Sequence, residues 1–384
     1  MSPSTISYLW RDKNATQGFR TGVSLHSHTN QSHETLDFLA NLGNQYPVVR
    51  PLLSRLERRS ESNGIRINYA ASYWTPPMTP KLAFDLESRQ IEKLDVASMV
   101  SITDHDTIQA PMLLRTVPSA RQIPVSVEWT APYGVQSFHL GVHNLPSAKA
   151  TEWMQILADY TANPNDTWLT EILQALHDEP NVLVIFNHPL WDLYLVGQEK
   201  HDFLVNEFLQ KNGNYMHALE LNGLRNWDEN RAVRRLAEKW NMVLISGGDR
   251  HGVEPNANIN LTNATSFTEF VHEIRRERKS DVLFMPQYAE PWKHRILQST
   301  VDAIRNYPEF PQGSRTWDER VYHPDANGIV RPLNEFWPGG KAPAAMRYII
   351  AGVQMMGQGV VSGGLRLAWN ESSQLRLALG ESEG

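Results

Sequence analysis

The stretch Thr21-Gly22-Val23-Ser24-Leu25-His26-Ser27-His28 places two histidines directly after a short apolar run. The run Thr21–Leu25 has the composition of a buried β-strand, and side chains two apart on an extended chain point the same way. His26 and His28 can therefore converge on one ion. A second stretch, Ile102-Thr103-Asp104-His105-Asp106, ends the apolar run Val96–Ile102 in the same manner.

Three more groups of metal-ligand residue types follow apolar runs further along the chain. They are Glu128, then His188, then Asp249 with His251. Predicted strands alternate with predicted helices through this region, which indicates the α/β class. Ligand residue types at the carboxyl ends of successive strands are what a metallohydrolase barrel needs.

This ordered set of motifs resembles the polymerase and histidinol phosphatase (PHP) family. The matching motifs are His26-Ser27-His28, Thr103-Asp104-His105-Asp106, Val127-Glu128, Asn187-His188-Pro189 and Gly248-Asp249-Arg250-His251. An isolated HxH is a weak signal, whereas five matches in order, each behind an apolar strand, are a strong one. The resemblance spans roughly residues 23 to 252. It implies a distorted (β/α)7, TIM-like barrel that holds two or three divalent ions and most often hydrolyses phosphoesters.

The resemblance also implies nine metal ligands: His26, His28, His33, His105, Glu128, His139, His188, Asp249 and His251. One ion is expected to take the two histidines of the first strand together with Asp249. Glu128 bridges it to a second ion, which also takes His188 and His139, and the remaining three histidines hold a third ion. His143 is the alternative to His139 on the same predicted strand. The family more often has an aspartate near position 33.

Catalytic roles follow from the chemistry of such a centre. Ions ~3.5–4 Å apart can share a hydroxide at neutral pH, and we expect that hydroxide to attack phosphorus. Asp104 and Asp106 are candidates to orient His105 or a ligand water. Arg225, which follows a predicted strand, is the candidate phosphate clamp, whereas Arg250 is predicted to be structural. The sequence assigns no role to Glu220, which precedes the same loop as Arg225.

The composition limits which residue types can bind a metal and which partners are expected. The 384 residues include no cysteine, so any metal must be held by His, Asp and Glu, which suit Zn, Mn or Fe without choosing among them. The formal net charge of −6 argues against a nucleic-acid partner. The amino terminus lacks a basic start followed by an apolar run, so the expected location is cytoplasmic.

The chain is predicted to divide into a barrel and an extension. Residues 1–290 form the barrel, with an insertion after the first strand, at about residues 38–80, that covers the mouth. Ser32–Leu42, which leads from the first strand into this insertion, is predicted to be a helix that begins at a serine cap. Residues 291–384 form a C-terminal extension packed on the barrel. Its segment Tyr348–Leu367 is too polar and glycine-rich to span a membrane, and it is a candidate subunit contact.

Three functional hypotheses remain open. The first is a metal-dependent phosphoesterase, either a phosphatase or a phosphodiesterase, that acts on a small phosphorylated substrate. The second is an amidohydrolase-like enzyme that cleaves a C–N, lactone or phosphotriester bond, and the third is a non-catalytic metal-bound domain. The Thr103–Asp106 motif, and His251 two residues after Asp249, favour the first over the second. The third is disfavoured because no ligand position is lost.

Overall fold

The computed structural model describes residues 4–36 and 67–369, together with the single positions 50, 54, 57, 58, 61, 374, 376 and 377. The strands in this part of the chain are β1 Ser4–Tyr8, β2 Thr21–Ser24, β3 Glu34–Thr35, β4 Tyr73–Trp74, β5 Ala97–Val100, β6 Val127–Tyr133, β7 Gln136–His143, β8 Leu183–Phe186, β9 Ala218–Asn222, β10 Val243–Gly247, β11 Asn258–Thr262, β12 Ser280–Phe284, β13 Val321–Pro324 and β14 Val330–Pro332. The helices are α1 Pro80–Glu92, α2 Gln109–Leu114, α3 Ala150–Ala162, α4 Asp166–Asp178, α5 Gln198–Asn212, α6 Trp227–Trp240, α7 Phe267–His272, α8 Trp292–Ile304, α9 Ala344–Met356 and α10 Gly359–Ala368. The predicted α/β class is confirmed.

Two five-stranded sheets form the main body of the fold. The first has the order β1-β12-β11-β2-β5, in which β2 and β5 run parallel and β11 runs against both of its neighbours. The second has the order β10-β9-β8-β7-β6, in which β8, β9 and β10 run parallel and β7 is antiparallel to β6 and β8. The sheets are therefore mixed rather than purely parallel.

Two isolated parallel bridges join the two sheets beyond the ends of their strands. Ser27 pairs with Arg250 just beyond β2 and β10, and His105 pairs with Glu128 beyond β5. Between the described strands of the two sheets there is no continuous ladder, so the closed barrel expected from the sequence stays a prediction. Both bridges involve the motifs that carry candidate ligands, so the contact between the two sheets gathers those motifs at one place.

Two hydrophobic cores support the strands. Helices α3 to α6 pack over the outer side of the second sheet, where Trp129, Phe186 and Phe208 are buried in one cluster. A second cluster joins Val23 of β2 with Ile185 and Ile245 of the other sheet. Fully burying a side chain of this size stabilises the fold by roughly 1.5–3 kcal/mol. The strand ends that carry the candidate ligands are thus anchored from both sides.

A third, four-stranded sheet joins distant parts of the chain. Its order is β14-β13-β4-β3, so the C-terminal extension supplies two strands and the segments near residues 34 and 73 supply the others. Glu34 pairs with Trp74, and Trp74 pairs in turn with Val321. We refer to it as the small sheet.

The small sheet overturns one local prediction. The chain is extended at Glu34–Thr35, whereas the sequence predicted a helix from Ser32. Ser32 does not cap a helix, because its hydroxyl donates to Glu34 Oε1 at 2.6 Å and accepts from the amide of His105 at 2.9 Å. Residues 37–42 of the predicted helix, and most of the predicted insertion, lie outside the described residues.

Within the described part of the chain, no helix combines the length and the hydropathy needed to cross a bilayer.

Candidate metal centre

The side chain of Glu128 lies in the middle of a buried group of histidines. Its Oε2 atom is 2.9 Å from Nε2 of His26, and 3.2 Å from Nε2 of both His28 and His105. Its Oε1 atom is 3.2 Å from Nε2 of His188 and accepts a hydrogen bond from the amide group of Asn187 at 2.9 Å. One carboxylate therefore faces two separate sets of imidazole nitrogens, as a bridging ligand would.

Asp249 completes a second set of donors with the two histidines after β2. Its Oδ1 atom is 3.6 Å from Nε2 of His26 and 3.6 Å from Nε2 of His28, and these two nitrogens are 3.0 Å apart. Asp249 has a positive φ of 52°, which a non-glycine residue adopts mainly in tight turns. This turn after β10 directs the carboxylate towards the histidines.

Glu34 supplies a third carboxylate, which the sequence analysis did not identify. Its Oε2 atom is 3.3 Å from Nε2 of His105 and 3.4 Å from Nε2 of His251, while Oε1 is 3.4 Å from Nδ1 of His28. Adjacent residues on a strand point to opposite faces, so His33 points away and its ring stacks on Tyr73 with centroids 4.2 Å apart. The sequence could have indicated Glu34 only if the chain were assumed to be extended here, because Glu34 then points to the face opposite His33.

Four groups of three donor residues have their ligand atoms within 4.8 Å of one another: His26, Glu128 and His188; His26, His28 and Asp249; His28, His105 and Glu128; and His28, Glu34 and His251. The second of these is the set expected for the first ion. Glu34 stands where His33 was expected, and His26 rather than His139 joins Glu128 and His188.

His139 nevertheless lies at the edge of this cluster. Its Nδ1 atom is 3.5 Å from Glu128 Oε1, and both of its ring nitrogens are buried without a hydrogen-bond partner. A buried imidazole without a partner is costly unless another group binds it. His143, the alternative on the same strand, is bonded instead to the hydroxyl of Ser101 at 2.9 Å, and burial lowers its pKa to about 3.

The three carboxylates remain ionised despite their burial. Burial alone would raise the pKa of Glu34, Glu128 and Asp249, but the histidines that face each of them hold all three pKa values well below the usual range. Within the described residues, no lysine or arginine forms an ion pair with any of the three. Their compensating charge must come from imidazolium groups or from bound cations.

The carboxylates in turn raise the pKa of two of the histidines that face them. Burial lowers the pKa of His105, yet Glu34 and Glu128 outweigh it and raise the pKa to about 10. Burial also lowers the pKa of His251, but the effect of Glu34 and Asp249 together is larger and raises that pKa to about 9. Three carboxylates among imidazole nitrogens, with the partnerless ring of His139, are a donor set that fits divalent cations.

A further layer of hydrogen bonds surrounds the donors. Glu220, buried on β9, accepts a hydrogen bond from Nδ1 of His26 at 2.6 Å and from the backbone amide of His188 at 2.8 Å. Asn222 donates to Glu220 Oε2 at 2.9 Å and to Asp249 Oδ2 at 3.1 Å. The available sequence signal was that Glu220 and Asn222 lie two apart on the strand between those that end at His188 and Asp249.

The two aspartates expected to orient His105 have other partners. Asp104 accepts from the amide and the hydroxyl of Thr29 at 2.5 and 2.7 Å, so it holds the loop after His28. Burial raises the pKa of Asp104 to about 6. Asp106 is exposed and accepts from the amide of Thr130 at 2.8 Å. The hydroxyl of Thr130 is the group that contacts His105 Nδ1, at 3.2 Å.

The two arginines near the centre differ in their surroundings. Arg225 is 8% exposed, and its guanidinium lies 4.1 Å above the ring of Trp191, which packs against His188 with centroids 5.0 Å apart. Trp191 therefore connects Arg225 to the donor cluster. Arg250 forms a buried ion pair with Glu87 at 3.1 Å and donates to backbone carbonyls of its own loop, as a structural residue does.

Comparisons with known proteins give no family assignment. No protein-family model matches the chain, and no curated protein matches it. Similar solved structures include PsfC from Pseudomonas syringae (15% identity, TM-score 0.41, covering 57% of this chain and 88% of that one). An amidohydrolase from Chromobacterium violaceum has 15% identity and a TM-score of 0.30, covering 46% of this chain and 83% of its own. A protein assigned provisionally as a metal-dependent phosphoesterase, from Bifidobacterium adolescentis, has 15% identity and a TM-score of 0.30, covering 52% and 91%. TM-scores this low do not decide the function.

Proposed function

We propose that this protein is a metal-dependent hydrolase of the PHP type that cleaves phosphoester bonds of a small substrate. The observation that carries the proposal is the position of Glu128, whose two oxygens face separate sets of histidine nitrogens. A single carboxylate shared between two donor sets is typical of polynuclear hydrolytic centres. Phosphoester chemistry is the finer part of the proposal and is supported by the order of the sequence motifs.

Two or three divalent cations, of Zn, Mn or Fe, would be held by residues that converge on this pocket. The residues that would hold them are His26, His28, Glu34, His105, Glu128, His139, His188, Asp249 and His251. When bound, such cations act as Lewis acids towards a phosphoryl oxygen and lower the pKa of a water molecule. Glu34 replaces His33 in this proposal because its carboxylate lies among the donors.

The chain's own residues would bind and orient the substrate. Arg225 is the proposed phosphate clamp, because its guanidinium is fixed over Trp191 beside His188. A planar guanidinium recognises two phosphate oxygens at once. Trp74 lies on another side of the cluster, with its ring centroid 5.8 Å from that of His251. The two indole rings would exclude water from the substrate. Asp104 and Asp106 would act through Thr29 and Thr130, and thus as positioning residues.

We also infer the larger organisation from these contacts. The core cluster shared by β2, β8 and β10, together with the bridges at Ser27 and His105, supports a distorted barrel made from the two large sheets. Residues 1–290 would form that barrel and residues 291–384 the extension, whose strands β13 and β14 complete the small sheet.

The test is turnover by the purified protein with known metal content. We expect hydrolysis of p-nitrophenyl phosphate or bis(p-nitrophenyl) phosphate, loss of that activity on chelation, and its return with Mn²⁺ or Zn²⁺. Glu273→Gln is a matched control, because this carboxylate accepts from Thr262 far from the donor cluster and should leave turnover unchanged.

A panel of lactones, amides and phosphotriesters separates the alternatives. Turnover of these compounds without phosphomonoester or phosphodiester hydrolysis would favour the amidohydrolase-like hypothesis. Fully metal-loaded protein that is inert on the whole panel would favour the non-catalytic one.

A further inference from the structure

We propose that Glu220 is a positioning residue. It fixes the tautomer of His26 and, through hydrogen bonds, holds His26, His188 and (by way of Asn222) Asp249 in place relative to one another. The inference rests on the proposed metal-dependent function, and it concerns how the site is held in shape. Glu220 is 1% exposed and lies on β9, between the strands that end near His188 and Asp249.

The first step concerns the imidazole of His26. Its Nδ1 atom is 2.6 Å from Glu220 Oε1, while its Nε2 atom faces Glu128 and lies 3.6 Å from Asp249 Oδ1. A carboxylate can only accept, so Nδ1 must carry the hydrogen. Nε2 is then the nitrogen whose lone pair is available to a cation.

The second step concerns the other oxygen of Glu220. Oε2 accepts from the backbone amide of His188 at 2.8 Å and from the side-chain amide of Asn222 at 2.9 Å. The Asn222 amide cannot turn over without loss, because its oxygen accepts from the amide of Leu224 at 2.8 Å and its nitrogen donates to Asp249 at 3.1 Å. The backbone amide of His188 and the side-chain amide of Asn222 are therefore fixed donors, whereas His26 can donate or accept through Nδ1 according to its tautomer.

The third step concerns the space that Glu220 occupies. A Cβ atom at Gly247, on the neighbouring strand β10, would overlap the carboxylate of Glu220. The pairing of Gly247 with Asn222 brings the two strands side by side at this point. Because residue 247 is glycine, the carboxylate of Glu220 has space to contact its three partners.

A glutamine at position 220 cannot satisfy the same three donors. If its oxygen replaces Oε2, its NH₂ group faces Nδ1 of His26 and requires that nitrogen to accept. The hydrogen then moves to Nε2, and this nitrogen, which faces the cation site, no longer has a free lone pair to bind a cation. If its oxygen replaces Oε1, its NH₂ group faces the amides of His188 and Asn222, and two hydrogen bonds become donor–donor contacts. The first orientation keeps both of those hydrogen bonds and is therefore favoured, and it is the one that moves the hydrogen of His26.

The experiment compares wild-type protein, Glu220→Gln and the control Glu273→Gln, all full-length, stripped of metal and titrated with Zn²⁺ by calorimetry. We expect Glu220→Gln to bind zinc about 10- to 100-fold more weakly at the sites that use His26, and the control to match wild type. Thermal unfolding of the metal-free proteins checks that both variants are folded.

A spectroscopic readout separates positioning from a general structural role. In ¹⁵N-histidine NMR spectra of the zinc-loaded wild type, His26 should carry its hydrogen on Nδ1, and in Glu220→Gln the hydrogen should be on Nε2. Unchanged zinc binding, or an unchanged His26 signal, in folded Glu220→Gln would overturn the inference. Gly247→Ala, which displaces the carboxylate sterically, should reproduce the loss if Glu220→Gln misfolds, and wild-type zinc binding in it would count against the inference.

The outcome is distinguishable from failure of the proposed function. Wild-type protein that binds zinc and hydrolyses nothing overturns the function while the zinc titration still decides the role of Glu220. Wild-type protein that binds no zinc overturns both.

Discussion

The candidate ligands are held by two regions built in different ways. His26, His188 and Asp249 follow strands of the two large sheets, and Glu128 is the second residue of β6. Both sheets are packed against buried apolar clusters. Glu34 lies instead on a two-residue strand of the small sheet, which is joined from segments near residues 34, 73 and 321. A ligand on a long ladder is fixed locally, whereas Glu34 depends on pairing with the distant C-terminal extension.

The largest effect is expected from removing a ligand of the large sheets. His26→Ala deletes a donor that belongs to two of the four groups, so we expect loss of bound metal and a fall in turnover of at least about 10²–10³-fold. Metal analysis and steady-state kinetics check this. If His26→Ala keeps its full metal content, His26 is not a metal ligand and the proposed set of ligands is wrong.

A smaller effect is expected from removing the ligand of the small sheet. Glu34→Gln should reduce metal occupancy by one ion and lower turnover by roughly 10- to 100-fold, because the donors around Glu128 remain. The matched control is His33→Ala, whose ring stacks on Tyr73 and faces away from the donors. The comparison fails if His33→Ala loses metal and Glu34→Gln does not.

Breaking the small sheet without touching a ligand should weaken the same site. Tyr322→Pro removes a backbone donor from β13, which pairs with β4 and thereby holds Glu34. We expect Mn²⁺ affinity at the weakest site to fall roughly 10-fold, with the other sites unchanged. Tyr322→Phe keeps the strand and the stacked ring and should behave as wild type in the same titration. Equal losses at every site would remove the distinction between the two regions.

The smallest effect is a pH dependence confined to the large sheets. His217 Nδ1 accepts from the amide of Val184 on β8 at 2.8 Å, and burial, together with Arg275, lowers the pKa of His217 to about 2. The folded state thus holds a neutral ring that the unfolded chain protonates below pH ~6.5. Stability from this group is present above that pH and is lost as pH falls, by about 1.4 kcal/mol per unit.

His217→Asn keeps an acceptor near Val184 but cannot titrate. In urea unfolding at pH 8.0 and 5.5, we therefore expect the free energy of unfolding to fall less in this variant than in wild type, by about 1.4 kcal/mol. An identical pH dependence in the two proteins would exclude His217 as the source.

Sequence patterns located the large-sheet ligands because their spacing is local. An apolar run followed by His26-Ser27-His28 specifies both the strand and the direction of its last side chains. The helix predicted from the serine cap at Ser32 was wrong, because pairing of Glu34 with Trp74 makes the chain extended there. His33, which the family resemblance implied as a ligand, stacks on Tyr73 instead. Asp104 was predicted to orient the adjacent His105 or a ligand water, whereas its hydrogen-bond partner is Thr29 on another loop.

The sequence alone determined the class of the fold, the residue types available to a metal and the strand ends where most of them lie. The class of the fold and the strand ends follow from the periodicity of apolar residues, which is a property of neighbouring residues. The residue types available to a metal follow from the absence of cysteine, which is a property of composition. Only the tertiary structure decided that Glu34 joins the donors, that Glu220 contacts His26, and that β13 pairs with β4 in the small sheet that contains Glu34. These contacts join residues from 71 positions apart (Glu34 and His105) to 249 positions apart (Tyr73 and Tyr322), and they depend on which strands pair.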